Sequence, residues 1–393
     1  MKKIFEQYLK GDAVIWIISL LLLTFSILSV YSFIPILVKV EGGSPFKYLI
    51  KHLVYVLLAF YAMFWVHRKN PIFIARFARI AYIIAIILLI FTFFFGTKVN
   101  DAGRWIKIPF VGLTFQSSDF AKLALILYLS KLLVKKQDKL NSWKEGFIPV
   151  LTPVVIICGL IIKDNFSTAV ILFSIALIVM FVGKVPIGKL FLLFLSLILS
   201  FFLLVLIQKG FPDLKLLPRL ETWENRLFRH QQEENNIENA QAVNAELAIY
   251  NGGFWGQGVG DGKLKEFIPE AYADFYYASF VEEFGAFFAV ILVFLYLILL
   301  FRFIKIALKT ESLFETYWII GIGILLLSQA TVNMMVCTRI FPVTGQNMPL
   351  LAMGGSALIM TSFSIGLVQS VVYSHDKKQE KTKDENILAD AVV

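Results

Sequence analysis

IPEAYADFYYASFVEEFGAFF, residues 268–288, sets four carboxylates, Glu270, Asp274, Glu282 and Glu283, where a long polar connection turns into an apolar segment that continues to about residue 301. A carboxylate drawn to the centre of a bilayer costs about 2.5–3.5 kcal/mol on insertion scales. Acids in such a place need partners or a task. Asp274 falls at the mouth of the segment, near outer water. Glu282 lies eight residues further in, and helical turn angles put both on one face while Glu283 points elsewhere. Glu270 follows Pro269 and reads as a cap at the helix start. For Glu282 and Glu283, hydrogen bonding to neighbouring helices and a functional role stand side by side.

Outward from this stretch the chain stays apolar. Of its 393 residues 58% are hydrophobic and 17% charged, 38 are Phe, and the mean hydropathy is +0.75. A soluble protein of this composition would lack the polar surface to stay dissolved. Apolar runs long enough to span fall near 13–38, 47–66, 72–96, 119–134, 147–162, 165–183, 189–208, 273–301, 313–338 and 348–373. The fold class is therefore an all-α integral membrane protein of about ten transmembrane helices, with a large extracytoplasmic loop, about 209–272, between the seventh and eighth. Residues 1–376 form one polytopic domain and 377–393 a polar, disordered cytoplasmic tail.

Charge sets the orientation. With the N-terminus inside, every inside segment is basic, from Lys2, Lys3 and Lys10 through Arg68, Lys69, Arg76 and Arg79 to Lys135, Lys136, Lys139 and Lys144. Both termini are then cytoplasmic. The net charge of +9 belongs to this pattern and does not point to nucleic acid. Cys158 and Cys337 lie in apolar runs, so no disulfide framework is implied. No cleavable signal peptide is evident, since MKKIFEQYLKGD precedes a run long enough to span. In the long loop, Ile237, Ala240, Val243, Leu247 and Tyr250 recur at helical spacing until Gly252 and Gly253, as in a helix lying on the outer interface.

Several motifs bear chemistry. GQGVGDGK at 256–263 fails the phosphate-loop pattern, with Gln257 and Leu264 where Gly and Ser or Thr are needed, and reads as a flexible glycine turn. No nucleotide cofactor follows from it, and no pre-built metal cage is visible. GRWIKIPF puts Arg104 and Trp105 just outside the third span, as an interfacial belt or a substrate contact. QSSDFAKLAL places Asp119 and Lys122 on one helical face, either as a mutual anchoring pair or to hold a ligand phosphate. FPVTGQNMPLLAMGGSAL at 341–358 is too rich in Pro and Gly for a plain helix and reads as the wall of a cavity.

At these residues the chain resembles the SEDS family of FtsW and RodA. The likeness rests on GRWI at 103–106, QSSDFAKLAL at 116–125, NFSTA at 165–169, the run from Gly252 to Gly285, Asn333, and 341–358, and covers nearly the whole chain. It departs from the family at Ser117, Ser118 and Asp119, where Pro-Ser-Glu is usual. Tyr272 and Ala273 replace His-Thr, DNFST replaces Pro-Asp-Leu-Gly-Thr, and Arg339 stands where a small residue is common. WGQG at 255–258 resembles the cell-division branch more than the RodA-like elongation branch.

The resemblance implies a peptidoglycan glycosyltransferase that polymerises lipid II into glycan strands at the outer face of the inner membrane. Its partners would be lipid II, the lipid-linked glycan, a class B penicillin-binding transpeptidase and other divisome membrane proteins. Inversion by single displacement needs a base for the acceptor hydroxyl and positive charge for the departing diphosphate. Asp274 matches the family's essential Asp, as base or as ligand of a divalent cation such as Mg or Mn. Lys122, Arg104, Lys263 or Lys265 would supply cations, and Trp105, Asp119, Glu282, Gly354, Gly355 and Ser356 further substrate contacts. A lipid II flippase and a non-catalytic scaffold for the transpeptidase are the competing readings.

Overall fold

The computed structural model describes residues 9–99, 102–107, 114–163, 165–210, 237–268 and 271–390. Helix α1 (Ala13–Glu41) starts at Asp12, whose carboxylate accepts from the amides of Val14 and Ile15 at 3.0 and 3.2 Å, and ends at Gly42, which takes φ +71°. Helices α2 (Pro45–Val66) and α3 (Pro71–Phe95) each carry Pro in the first turn, where its missing N–H costs nothing. The connection that follows holds an antiparallel sheet, β1 (Thr97–Val99), β2 (Ala102–Lys107) and β3 (Thr114–Gln116), in the order β1-β2-β3, with Trp105 opposite Gln116. These strands are an addition to the expected all-helical fold. They run three to six residues, too short for a periodic signal.

Helices α4 (Ser117–Lys135), α5 (Ile148–Ile162), α6 (Phe166–Val182) and α7 (Ile187–Gly210) complete the first half. Helix α8 (Ile237–Gly252) lies in the long loop, and α9 (Tyr276–Lys309), α10 (Leu313–Cys337) and α11 (Gly355–Asp390) follow. Among the described residues eight helices are long and apolar enough to cross a membrane, α5 being counted from the helical turn at Trp143–Phe147 that leads into it. The other two expected spans correspond to α4, which carries Asp119, Lys122, Lys131 and Lys135, and to α6, with 17 residues. Helix α11 runs on to Asp390, through the stretch from 377 that reads as a disordered tail in the sequence.

The core gathers where α2 packs on α11, α9 on α10 and α3 on α4. Trp16, Trp318, Tyr276 and Phe303 are fully buried there. Aromatic and aliphatic side chains such as Phe94, Phe95, Phe191 and Leu199 face outward, as a bilayer solvent allows. On α8 the expected apolar residues Val243, Leu247 and Tyr250 are exposed, while Ala245 and Ala248 face the protein. Helix α8 therefore packs on the protein through its alanines and leaves its larger apolar side chains outside.

Helix α9 is not one continuous span. Gly285 breaks it with φ +81° and ψ 171°. The freed backbone groups are taken up by the glycine loop: the amides of Gln257 and Gly258 donate to the carbonyls of Glu282 and Glu283 at 2.9 and 3.0 Å. Those of Ala286 and Phe287 donate back to Gly253 and Phe254 at 2.9 and 3.2 Å. A Cβ at Gly252, Gly256 or Gly285 would collide with the facing backbone. The loop is therefore a backbone-on-backbone joint, closely packed rather than flexible.

Candidate active site

Asp274 sits in a turn, residues 271–275, immediately before α9, and is half-buried. The helical face expected to join it to Glu282 does not exist, because the helix begins only at Tyr276. The turn is held by Asn333 of α10, which is fully buried. Its Nδ2 donates to the carbonyls of Asp274 and Gln346, both at 2.9 Å, with a longer contact to Ala273 O, and its Oδ1 accepts from the amide of Tyr277 at 3.3 Å. Met353 N donates to Tyr272 O at 2.9 Å. One buried amide and one backbone bond thus fasten the Asp274 turn to the segment 346–353.

That segment is unwound, as its Pro and Gly content predicts, and it walls a cavity with room for a few waters. Asp119, Lys122, Thr168, Gln329, Gln346 and Asn347 supply the polar lining; Leu325, Leu326 and Leu358 are among the apolar contributors. Lys122 Nζ meets Asp119 Oδ1 at 2.8 Å. Asp119 Oδ2 accepts from Ser356 Oγ at 3.0 Å, and Ser356 Oγ accepts from the amide of Gln116 at 3.2 Å. Lys122 therefore both pairs with Asp119 and faces the cavity.

Three helices begin at this cavity. Asp119 and Lys122 belong to the first turns of α4, Thr168 to that of α6, and Ala357 and Leu358 to that of α11. Each helix start carries about half a positive charge from its aligned peptide dipoles. The helix starts thus put positive potential at the cavity, where Lys122 is paired with Asp119 and Asp119 also accepts from Ser356.

Other sequence-predicted residues have different surroundings. Both Glu282 oxygens are occupied: Oε1 accepts from the amides of Lys263 and Leu264, each at 3.0 Å, and from Asn251 Nδ2 at 3.2 Å, and Oε2 from the amide of Lys265 at 3.3 Å. Glu282 thus clamps the loop 262–265 to α9. Glu283 forms a buried ion pair with Lys265, and Ser32 bonds both. Lys265 is 2% exposed and turned into the protein, whereas Lys263 is exposed. Gly354 and Gly355 give way to neighbours, since a Cβ at Gly355 would enter the Tyr55 ring and one at Gly354 would lie 2.6 Å from Asn347 Nδ2. Trp105 is half-buried on β2, opposite the cavity-lining Gln116. Arg104 precedes it on the strand; its side chain lies outside the described residues, as do Pro269 and Glu270. The unusual Arg339 has φ +56° and pairs with Glu246 of α8 at 3.0 Å.

Sequence reasoning missed Gln329, Thr361 and Ser364, which also line the cavity. Their signal was present: each is a polar residue inside a predicted span.

Residues 12–377 match the family model for the cell cycle proteins FtsW, RodA and SpoVE. The chain belongs to this family. It is 30% identical over 378 residues to a probable peptidoglycan glycosyltransferase FtsW of Geobacter metallireducens, covering 93% of this chain and 95% of that one. It is 28% identical over 369 residues to the stage V sporulation protein E of Bacillus subtilis, covering 92% and 96%. Among solved structures, a chain of a peptidoglycan synthase complex that coordinates polymerization and crosslinking superposes with TM-score 0.70 at 23% identity, covering 93% and 98%. RodA of Thermus thermophilus superposes with TM-score 0.65 at 21% identity, covering 94% and 98%. This chain is thus a multi-pass membrane protein with the fold of the FtsW and RodA family.

Proposed function

We propose that the chain is an inverting peptidoglycan glycosyltransferase that polymerises lipid II at the outer face of the cytoplasmic membrane during cell division. The observation that carries this reading is the Asp274 turn, fastened through Asn333 to a cavity that offers Lys122 and three helix starts. A glycosyl transfer from a lipid diphosphate needs a base on one side of the anomeric carbon and stabilisation of the leaving anion on the other. Asp274 takes the proton of the acceptor 4-hydroxyl. Lys122 and the converging helix starts hold the diphosphate, and Asp119 with Ser356 keeps Lys122 oriented. The polyprenyl tails stay in lipid, along the outward apolar faces.

Relatives named as peptidoglycan glycosyltransferases over nearly the full chain support the chemistry. The fold shared with a member of a peptidoglycan synthase complex supports a class B penicillin-binding transpeptidase as partner, with other divisome proteins around it. Among the described residues no three His, Cys, Asp or Glu side chains gather into a cage for a metal ion. Asp274 is the residue that would hold a divalent ion such as Mg or Mn. When bound, such an ion would offset charge on the leaving diphosphate. The testing experiment is purified protein with lipid II in detergent: glycan strands support the reading, and intact lipid II under all metal and partner conditions would refute it. A flippase or a scaffold makes no strands in this assay.

A further inference from the structure

Helix α1 makes no contribution to the cavity lining, yet it touches three separate segments that build the site. Ser26, Ser29 and Ser32 follow one another at three-residue spacing and are all at most 3% exposed. Ser26 Oγ donates to Leu351 O at 2.8 Å, in the unwound segment. Ser29 Oγ accepts from Tyr276 Oη, two residues after Asp274. Ser32 bonds Lys265 and Glu283, which join the glycine loop to α9.

The Ser26 contact has a direction. A carbonyl can only accept, so the single hydroxyl proton of Ser26 is committed to Leu351 O. The imidazole of His52, at 3.0 Å from Ser26 Oγ and 2% exposed, must then donate through Nε2–H. The chain of donors runs from His52 through Ser26 to Leu351. It ends beside Leu350, a cavity-lining residue held at φ +63°, where a branched side chain is strained. A strained turn in hydrocarbon keeps its shape only where its carbonyls are gripped, and the Leu351 carbonyl is gripped here.

We propose that α1 is the positioning strut of the site, with Ser26 backed by His52, Ser29 and Ser32 as positioning residues that hold the unwound segment, the start of α9 next to the Asp274 turn, and the glycine loop in mutual register. The proposal rests on the polymerase reading for its kinetic arm only. Ser19, on the same helix, supplies the control: it is fully buried and its hydroxyl has no partner among the described residues.

Ser26→Ala, Ser26→Cys, His52→Leu and Ser19→Ala are purified and compared with the unaltered protein in lipid II polymerisation, thermal unfolding and amide hydrogen exchange. Ser26→Ala and His52→Leu should lower kcat about 10-fold with KM little changed, because a small misplacement of reacting groups costs turnover. Exchange over residues 345–354 should quicken, Ser26→Cys should be intermediate, and Ser19→Ala should match the unaltered protein in every readout. Equal losses in Ser19→Ala and Ser26→Ala would mean that α1 merely packs. Unchanged turnover and exchange in Ser26→Ala would also overturn the strut. If the unaltered protein makes no glycan, the polymerase reading fails, and the exchange arm alone decides the strut.

Discussion

At the scale of single residues, Glu282 and Glu283 are structural acids. Glu282 accepts from four donors and Glu283 is paired with Lys265. Both are thus held by the protein itself, and Asn333 grips the backbone carbonyl of Asp274. Glu282→Gln would turn one acceptor oxygen into a donor facing backbone N–H groups, and each unmet buried donor costs about 1–3 kcal/mol. We predict a lower yield of folded protein and a melting temperature several degrees down, measured by thermal unfolding in detergent; unchanged stability would remove Glu282 from the clamp. Lys122 differs, because it has both a partner and a cavity. Exchanging the two charges, Asp119→Lys with Lys122→Asp, should keep the protein folded and abolish polymerisation if Lys122 holds phosphate. A fully active exchanged protein would show that the pair only anchors α4. The sequence disclosed Asp274 and Lys122 because charge next to an apolar run is conspicuous. It did not disclose that Glu282 and Lys265 are occupied, because their partners are backbone amides and a serine brought in by the fold.

Among the elements, the joint between the glycine loop and the broken α9 decides whether the site assembles. The spans themselves were legible from runs of about twenty apolar residues, since each bilayer crossing imposes that length. The break at Gly285 was not, because its conformation depends on a loop about thirty residues earlier that supplies the replacement hydrogen bonds. The small sheet was equally hidden, its pairing resting on strands of three to six residues. Gly256→Ala should fail badly, since its Cβ meets the backbone of Glu283 and its φ is +81°. Gly253→Ala should be tolerated at a cost of about 1–2 kcal/mol, since its φ of +53° is left-handed but nothing lies within 4 Å. Yield of monodisperse protein and limited proteolysis of the loop check both. Similar behaviour of the two variants would contradict the joint.

For the whole molecule, the account requires the Asp274 turn, the three helix starts and α8 to share the outer side of the membrane. The positive-inside rule predicts that the basic residues at 68–79, 135–144 and 302–309 mark the cytoplasmic ends. A single cysteine at Asp261, which is exposed, should therefore react with an impermeant thiol reagent in intact cells, and one at Lys139, also exposed, should not. Labelling at Lys139 would invert the topology. The most direct test of the central claim is lipid II polymerisation by the purified Asp274→Asn protein beside its parent. Asn keeps the size of the side chain and leaves the backbone bonds to Asn333 intact, but removes the charge that a base or a metal ligand needs. A general base typically contributes about 10²–10⁴-fold. The account predicts a loss of at least that order in glycan synthesis, with membrane insertion, melting temperature and transpeptidase binding unchanged. Glycan synthesis near the parental rate would contradict it, and the group that activates the acceptor hydroxyl would lie elsewhere.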